Sequence, residues 1–266
     1  MKSFAVVTLF VISPMSVYAA LSFNSQLETA GAFAILGGST ITNTGPTIIN
    51  GDLGLWPGTD VVGFFPTPLG PGIVNGTIHT TDAVAQQAQV DLISAYTSLA
   101  GEPCGTNLSG QDLGGLTLLS GVYCFDSSAQ LTGTLTLNAQ NQADAFFVIQ
   151  IVSALTTESF SNVVFTNGGQ GSSLYWQVGS SAMIGTSTSF AGNLVALTSI
   201  TLNTNATISC GRALAINGAV TLDTNVVSIG GCGSSAAIPE PSSALLLLIG
   251  LPGLYWLQKL KSPLRV

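Results

Sequence analysis

Arg212 to Val227 reads RALAINGAVTLDTNVV, and it can be laid over three earlier stretches. These are FFVIQIVSALTTES from Phe146, LYWQVGSSAMIGTSTS from Leu174 and NLVALTSITLNTNAT from Asn193. Each copy has an alternating apolar strand, a small or polar break, and a second alternation. Ile184, Leu202 and Leu222 take equivalent places at steps of 18 and 20 residues. QLTGTLTLNAQ from Gln130 follows the same pattern. Repeats of this size, built of short alternating strands, indicate the stacked coils of a β-helix, a mainly β fold. A β-sandwich of unrelated short strands is the competing architecture. Alternation sends Leu135, Leu137, Leu202, Val220 and Leu222 inward and turns Thr134, Thr136, Thr201 and Thr221 outward.

One segment breaks the β pattern. Asp82 to Ala100 contains no Gly or Pro, and Val84, Ala88, Leu92, Tyr96 and Leu99 recur at helical spacing. This predicts a helix over about 82–100, capped by Thr81 or Asp82 and ended by Gly101, with one apolar stripe to lay along the coils. The Gly/Pro-punctuated stretch from Gly37 to Gly76 is strand-like and either adds coils or caps an end.

Both termini carry targeting patterns. Residues 1–19 have one base, Lys2, an apolar run from Phe4 to Ile12, and small residues at Val17-Tyr18-Ala19, the layout of a signal peptide. Residues 238–266 hold Pro239-Glu240-Pro241, an apolar segment over 244–257, and then Lys259, Lys261 and Arg265. A Pro-rich break, an apolar run and a basic end make a stop-transfer or sorting tail. The tail resembles the PEP-CTERM signal of bacteria, which implies an exosortase-type membrane protease as its partner. The reading is an exported, secreted or surface protein with one domain over 20–237.

Within that domain Arg212 is the single base against eleven acids, a net charge of −10. Nucleic acid is thereby excluded as a partner, because phosphate binding needs several Lys or Arg. Four cysteines suit an oxidising compartment. Pairing neighbours, Cys104 with Cys124 and Cys210 with Cys232, is one of three connectivities. With no CxxC spacing and a single histidine, no metal site is expected, and no cofactor motif is present.

The stretches AFAILGGSTITNTGPTIINGDLGLWPG from Ala32, GTIHTTDAVAQQAQVDL from Gly76, DLGGLTLLSGVY from Asp112 and SSAQLTGTLTLNAQ from Ser127 resemble the DUF3494 ice-binding proteins. So do WQVGSSA, GNLVALTSITLNT and GRALAINGAVTLDT. The similarity runs in order from about Ala32 to Val227. It implies a right-handed β-solenoid of triangular section with a long helix alongside, and one flat face that adsorbs to an ice crystal surface.

β-Helices also host glycan-cleaving enzymes, which need positioned carboxylates with a base or metal. His79 stands beside the helix start, Asp52, Asp112 and Asp126 are spaced as turn residues, and Arg212 begins a coil. No catalytic residue is expected. An ice face should instead be uncharged and regular. Threonine suits it, with few rotamers, a methyl that excludes disordered water and a hydroxyl that anchors ordered water.

Two Thr-rich sets compete. The preferred one collects Thr134, Thr136, Thr156, Ser181, Met183, Ser199, Thr201, Ala219 and Thr221, extended by Thr40 and Thr42. The alternative collects Thr157, Thr186, Thr188, Thr204, Thr207 and Thr224, with Thr44 and Thr47, and has Glu158 beside it. The expected activity is inhibition of ice growth and recrystallisation by a monomer. The alternative is a surface adhesin or matrix protein that holds glycans or cells.

Overall fold

The structure is a computed structural model and describes residues 27–65, 70–168 and 173–230. The signal peptide, the sorting tail, Cys232 and most of the insertion after Asn167 lie outside the described residues.

The strands pair in parallel throughout, which is the pattern of a solenoid rather than an antiparallel sandwich. They form three stacks. The first holds Phe33–Gly37, Asp52–Leu55, Ile78–Thr80, Gly121–Phe125, Phe146–Ile151, Ser173–Val178 and the second halves of Ser189–Ala196 and Thr207–Ala215. The second is a separate seven-stranded sheet, in the order Ala129–Leu131, Leu155–Thr157, Ala182–Ile184, Ile200–Leu202, Val220–Leu222, Thr40–Asn43, Asp60–Val62. The third runs from Thr117–Leu119 through Thr134–Asn138 and Asn162–Thr166 to Val226–Ser228, Ile48–Asn50 and Ile73–Asn75.

The coils do not stack in chain order. Phe33–Gly37 pairs with Thr207–Ala215 on one side and with Asp52–Leu55 on the other, so the first coil is held between the last coil and the second. The Gly37 to Gly76 stretch therefore adds coils. A consequence is that the chain must return to the far end of the stack after Thr80, and the helix makes that journey. It spans Ala83–Gly101, 19 residues, or ~28 Å at ~1.5 Å per residue. The stack from Ile78–Thr80 to Gly121–Phe125 takes seven steps of ~4.8 Å, roughly 34 Å. Helix and connectors together cover that distance.

Asp82 accepts a hydrogen bond from the Ala85 amide at 2.8 Å and caps the helix. At the other end Gln150 donates to the carbonyls of Leu99 (2.7 Å) and Glu102 (2.8 Å), which satisfies acceptors that the helix leaves unpaired. The buried stripe is Ala85, Ala88, Leu92, Ala95 and Leu99. Val84, expected in the stripe, is 48% exposed, and Tyr96 is half-buried. The small Ala side chains let the helix lie close to Phe33, Leu36, Val148, Tyr175, Val195 and Leu214. Because the first stack is covered on both faces, its strands read as continuous apolar runs such as FAILG, without alternation.

Inside the coils Leu135, Leu137, Ile184, Leu202, Val220 and Leu222 are all buried, as their alternation requires. Ile184, Leu202 and Leu222 sit side by side in register. Trp176 packs on Phe190 at 4.9 Å and donates its indole N–H to the Ala191 carbonyl. The two long strands turn from the third stack to the first at Gly192 and Gly211, where the register shifts. A Cβ on Gly211 would lie 1.9 Å from the Gly192 oxygen. Only glycine lets the two coils approach at that corner.

Cys104 and Cys124 are bonded, with Cα atoms 5.8 Å apart. Cys210 is also disulfide-bonded, and its expected partner, Cys232, lies outside the described residues.

Candidate functional site

The seven-stranded sheet has no bulge. Its central outward column is Gln130, Thr156, Met183, Thr201, Thr221, Thr42 and Val62, each opposite the next. A flanking column on the leading edge holds Ala154, Ser181, Ser199 and Ala219, each just ahead of its strand, and then Thr40 and Asp60. In these columns, parallel coils place equivalent side chains ~4.7–4.9 Å apart, and alternate residues along a strand are ~6.6 Å apart.

The four threonines of the central column, Thr42, Thr156, Thr201 and Thr221, have no side-chain hydrogen bond to any described residue. Their hydroxyls face water in a row. Ser181 and Ser199 differ. Ser181 shares a hydrogen bond with Thr198 at 2.9 Å and accepts from the Ser199 amide, while Ser199 accepts from the Ala219 amide at 3.2 Å. These serines stitch the edge of the sheet. Met183 interrupts the Thr column and is 45% exposed.

Two expected members are elsewhere. Thr134 and Thr136 belong to the third stack, opposite Asn162 and Val164, and Gln130 takes the corresponding place in the seven-stranded sheet. Alternation tells inward from outward but is silent on which of three outward faces a strand occupies. Among the described residues of the third stack, hydroxyl side chains stand side by side only in pairs, such as Thr117 with Thr136 and Ser189 with Thr207. One of its outward columns runs Thr134, Asn162, Ser189, Thr207, Val226, Ile48, Ile73.

The alternative set does not form a face. Thr157, Thr188 and Thr47 are buried at the corner between the second and third stacks. Thr157 and Thr188 share a hydrogen bond at 3.2 Å, and Thr157 accepts from the Gly185 amide at 2.8 Å. Thr47 donates to Asn43 at 2.6 Å and accepts from the Asn225 amide at 3.0 Å. Thr207 is on the third stack, Thr204 and Thr224 donate to Asp223, and Thr44 points at the Leu222 carbonyl. Thr186 is half-buried in the same turn region. Physically, a corner needs hydrogen-bonding side chains to satisfy backbone groups that no longer pair between strands.

Acids fringe this corner and the two ends of the sheet. Hydrogen bonds from Thr204 and Thr224 hold the Asp223 carboxyl below the usual range. At Asp112 burial pushes upward, but hydrogen bonds from Thr132 and the Gly114 amide outweigh it and lower the pKa. Acids stand only at the ends of the two outward columns: Asp60 on the end strand, and Asp112 in an isolated bridge to Gln130 at the other end.

The other candidates have structural partners. His79 pairs with Asp82 at 2.7 Å and meets Phe33 edge-on at 5.6 Å. Arg212 donates to the Gly31 carbonyl and to Asn193 Oδ1, pinning the N-terminal segment. Asp52 accepts from the Thr77 amide and Asp126 from Asn107. Among the described residues no three His, Cys, Asp or Glu side chains cluster as metal ligands.

A family model described as Ice-binding-like matches residues 35–228. An ice-binding protein from Nostoc sp. (strain HG1) is 54% identical over 228 residues, covering 84% of this chain and 82% of that relative. An ice-binding protein from Colwellia sp. is 31% identical, covering 80% of this chain and 87% of its own length. Among solved structures, an ice-binding protein from an Antarctic biological consortium superposes with a TM-score of 0.70 at 43% identity, covering 85% of this chain and 96% of that one. One from the ascomycete Antarctomyces psychrotrophicus gives 0.71 at 36% identity, covering 77% and 97%. With a match that spans almost every coil of the solenoid, this chain belongs to the Ice-binding-like family.

Proposed function

We propose that this protein binds ice through the seven-stranded sheet and thereby inhibits ice growth and recrystallisation. The observation that carries the reading is the column Thr156, Met183, Thr201, Thr221, Thr42, in register across the sheet, whose four threonine hydroxyls have no hydrogen bond to any described residue. The similarity to named ice-binding proteins supplies the ligand, which the row alone would not identify.

The physical argument is additive. Each Thr presents a methyl that displaces disordered water and a hydroxyl that holds an ordered one. The row repeats at ~4.7–4.9 Å and the two columns are ~6.6 Å apart, spacings comparable with repeats of the ice lattice. A water layer anchored on the sheet would then match the crystal. The scarcity of charge matters equally, because an ionised group keeps its own hydration shell. Ser181, Ser199 and Ala219 would complete a small-residue margin, and Thr40 would extend it.

On this reading the protein is a monomer without catalysis, metal or cofactor, and the targeting patterns in the sequence of its two termini support a location outside the cell. The test is direct: ice crystals grown in a dilute solution of the purified protein. Faceting and thermal hysteresis are expected. Retention on glycans with no effect on ice would overturn the proposal in favour of an adhesin for sugars or cells.

A further inference from the structure

Neighbouring coils are consecutive in the chain except at one place, where the first coil lies against the last. No covalent connection sets the relative height of those two coils. Corners on both sides of that junction follow one rule. The first amide after a strand of the helix-covered stack donates to the carbonyl that ends the adjacent coil's strand. Leu197 donates to Val178 and Ile216 to Ala196, both at 2.9 Å, and Trp56 donates to Gly37 at 3.1 Å.

The junction breaks the rule. By it the Gly38 amide would donate to the Ala215 carbonyl, but it donates to Gly218 at 3.0 Å, a carbonyl that also accepts from Ser39 at 3.1 Å. The turn over residues 37–39 is drawn tightly across the last coil: a Cβ on Gly38 would lie 2.3 Å from the Ile216 oxygen. Strand pairing stops early as well. It ends at Leu36 with Leu214, whereas Gly37 pairs onward with Leu55 and Ala215 with Ala196.

Gln89 of the helix supplies what is missing. Its side chain is only 5% exposed, and its Nε2 donates to the Gly37 carbonyl at 2.9 Å and to the Ala215 carbonyl at 3.2 Å. One amide thereby bridges the ends of the two strands. Its Oε1 is buried and has no hydrogen bond to any described residue. An apolar side chain beside Ala88 and Leu92 would avoid burying that lone acceptor, but it would leave the Ala215 carbonyl without this donor. At the far corner of the same two coils the backbone suffices. The Thr44 amide donates to Leu222 at 3.1 Å, as the Asn203 amide does to Ile184 at 2.9 Å.

We propose that Gln89 is a positioning residue for ice binding: its amide takes the place of the backbone bond that the junction lacks and holds Thr42 level with Thr221. This rests on reading the seven-stranded sheet as the ice site, and adds which group keeps the row in register where the chain does not. From the two bridged carbonyls the chain runs directly into the sheet, Gly37 to Thr40–Asn43 and Ala215 to Val220–Leu222. A slide between them would carry Thr40 and Thr42 out of line with the rest of the row. Because the row acts additively, splitting it costs more than the loss of one hydroxyl.

The experiment compares the purified protein with Gln89→Met, which keeps the side chain's size and removes its amide. Gln87→Met is the control, since it removes a bond to Asp91 Oδ1 on the same helix. Amide hydrogen exchange followed by NMR reports the junction at Thr42 and a step between consecutive coils at Thr201, while thermal hysteresis reports ice. In Gln89→Met the Thr42 amide should lose roughly tenfold in protection. Thr201 should keep its protection, and hysteresis should fall several-fold. Gln87→Met should match the unsubstituted protein in hysteresis and at Thr42. Unchanged protection at Thr42 overturns the proposal. So does an equal loss at Thr42 and Thr201, which would make Gln89 a general stabiliser of the fold. An opened junction with undiminished hysteresis overturns the link to ice and leaves the sheet as the ice site. Unsubstituted protein without effect on ice overturns the ice reading itself, and the exchange comparison still judges the junction. If Gln89→Met does not fold, Gln89→Asn, whose shorter amide cannot bridge both carbonyls, carries the same comparison.

Discussion

Thr42 stands directly beside Thr221 in the seven-stranded sheet, although the two lie near opposite ends of the domain sequence. The pairing exists because the first coil docks onto the last, while the helix carries the chain back along the side. The Thr row is therefore assembled from two distant parts of the chain and depends on that closure.

Thr201 sits between Met183 and Thr221 in the central column. Thr201→Tyr should abolish most ice-growth inhibition, because one bulky ring breaks the layer that the row must share with the crystal. As a surface change away from the core it should move stability by no more than about 0.5 kcal/mol. Thr136→Tyr, on the third stack, should leave activity intact. Thermal hysteresis of the two variants decides, and equal loss in both would refute the choice of face.

Met183 is the break in the Thr column. Its flexible thioether presents no hydroxyl and no fixed shape. Met183→Thr should raise thermal hysteresis with little change in unfolding midpoint, since a strand position facing water favours Thr. A drop in activity would show that the column does not act as a repeating row.

Thr47 represents the other class of threonine. Its hydroxyl links Asn43 Oδ1 to the Asn225 amide inside the corner where the first and last coils meet. Thr47→Val keeps the shape and leaves both partners buried without a bond, at a cost of about 1–3 kcal/mol each. The unfolding midpoint should fall clearly, while ice shaping by the folded protein at low temperature persists.

Removing the Cys104–Cys124 bond with a double Ala substitution releases a loop of sequence separation 20. A loop of that size contributes about 3 kcal/mol through the unfolded chain. The bond ties the segment after the helix to the end coil, on a different stack from the Thr row, so stability should fall without loss of ice binding. Denaturant unfolding of the variant checks this.

Asp82, Asp112 and Asp223 all have carboxyl pKa values held below the ordinary 3.8. The causes are the Ala85 amide at Asp82, bonds from Thr132 and Gly114 that outweigh burial at Asp112, and bonds from Thr204 and Thr224 at Asp223. A group whose folded pKa is depressed contributes its stability above the unfolded value and loses it as pH falls through the folded one. The unfolding midpoint should thus be insensitive to these groups at neutral pH and decline as pH drops below about 4. Asp223→Asn should flatten part of that decline, and an unchanged profile would count against the assignment.

Much of the architecture can be read from local pattern. Leu202, Val220 and Leu222 alternate with polar neighbours and are buried, and Asp82 followed by a Gly-free run marks the helix start. The stripe misread at Val84 has a physical reason: the helix packs so closely that Ala85 and Ala95, weak hydrophobic signals, form its contact. The site was only partly legible. Thr156, Thr201 and Thr221 share a face, whereas Thr134 and Thr136 have the same alternation on another.

The sequence by itself determined that the chain repeats, that its strands have one buried side, that a single helix interrupts them, and that the domain is poor in bases. These follow from periods of two and 3.6 residues and from composition, which are local properties. Only the tertiary structure decided which threonines stand together, which are consumed in corners, and that the first coil lies against the last. A strand's outward side is set by its neighbours in sequence, but the face it joins is set by where the chain turns, and those turns are fixed by contacts between residues from distant coils.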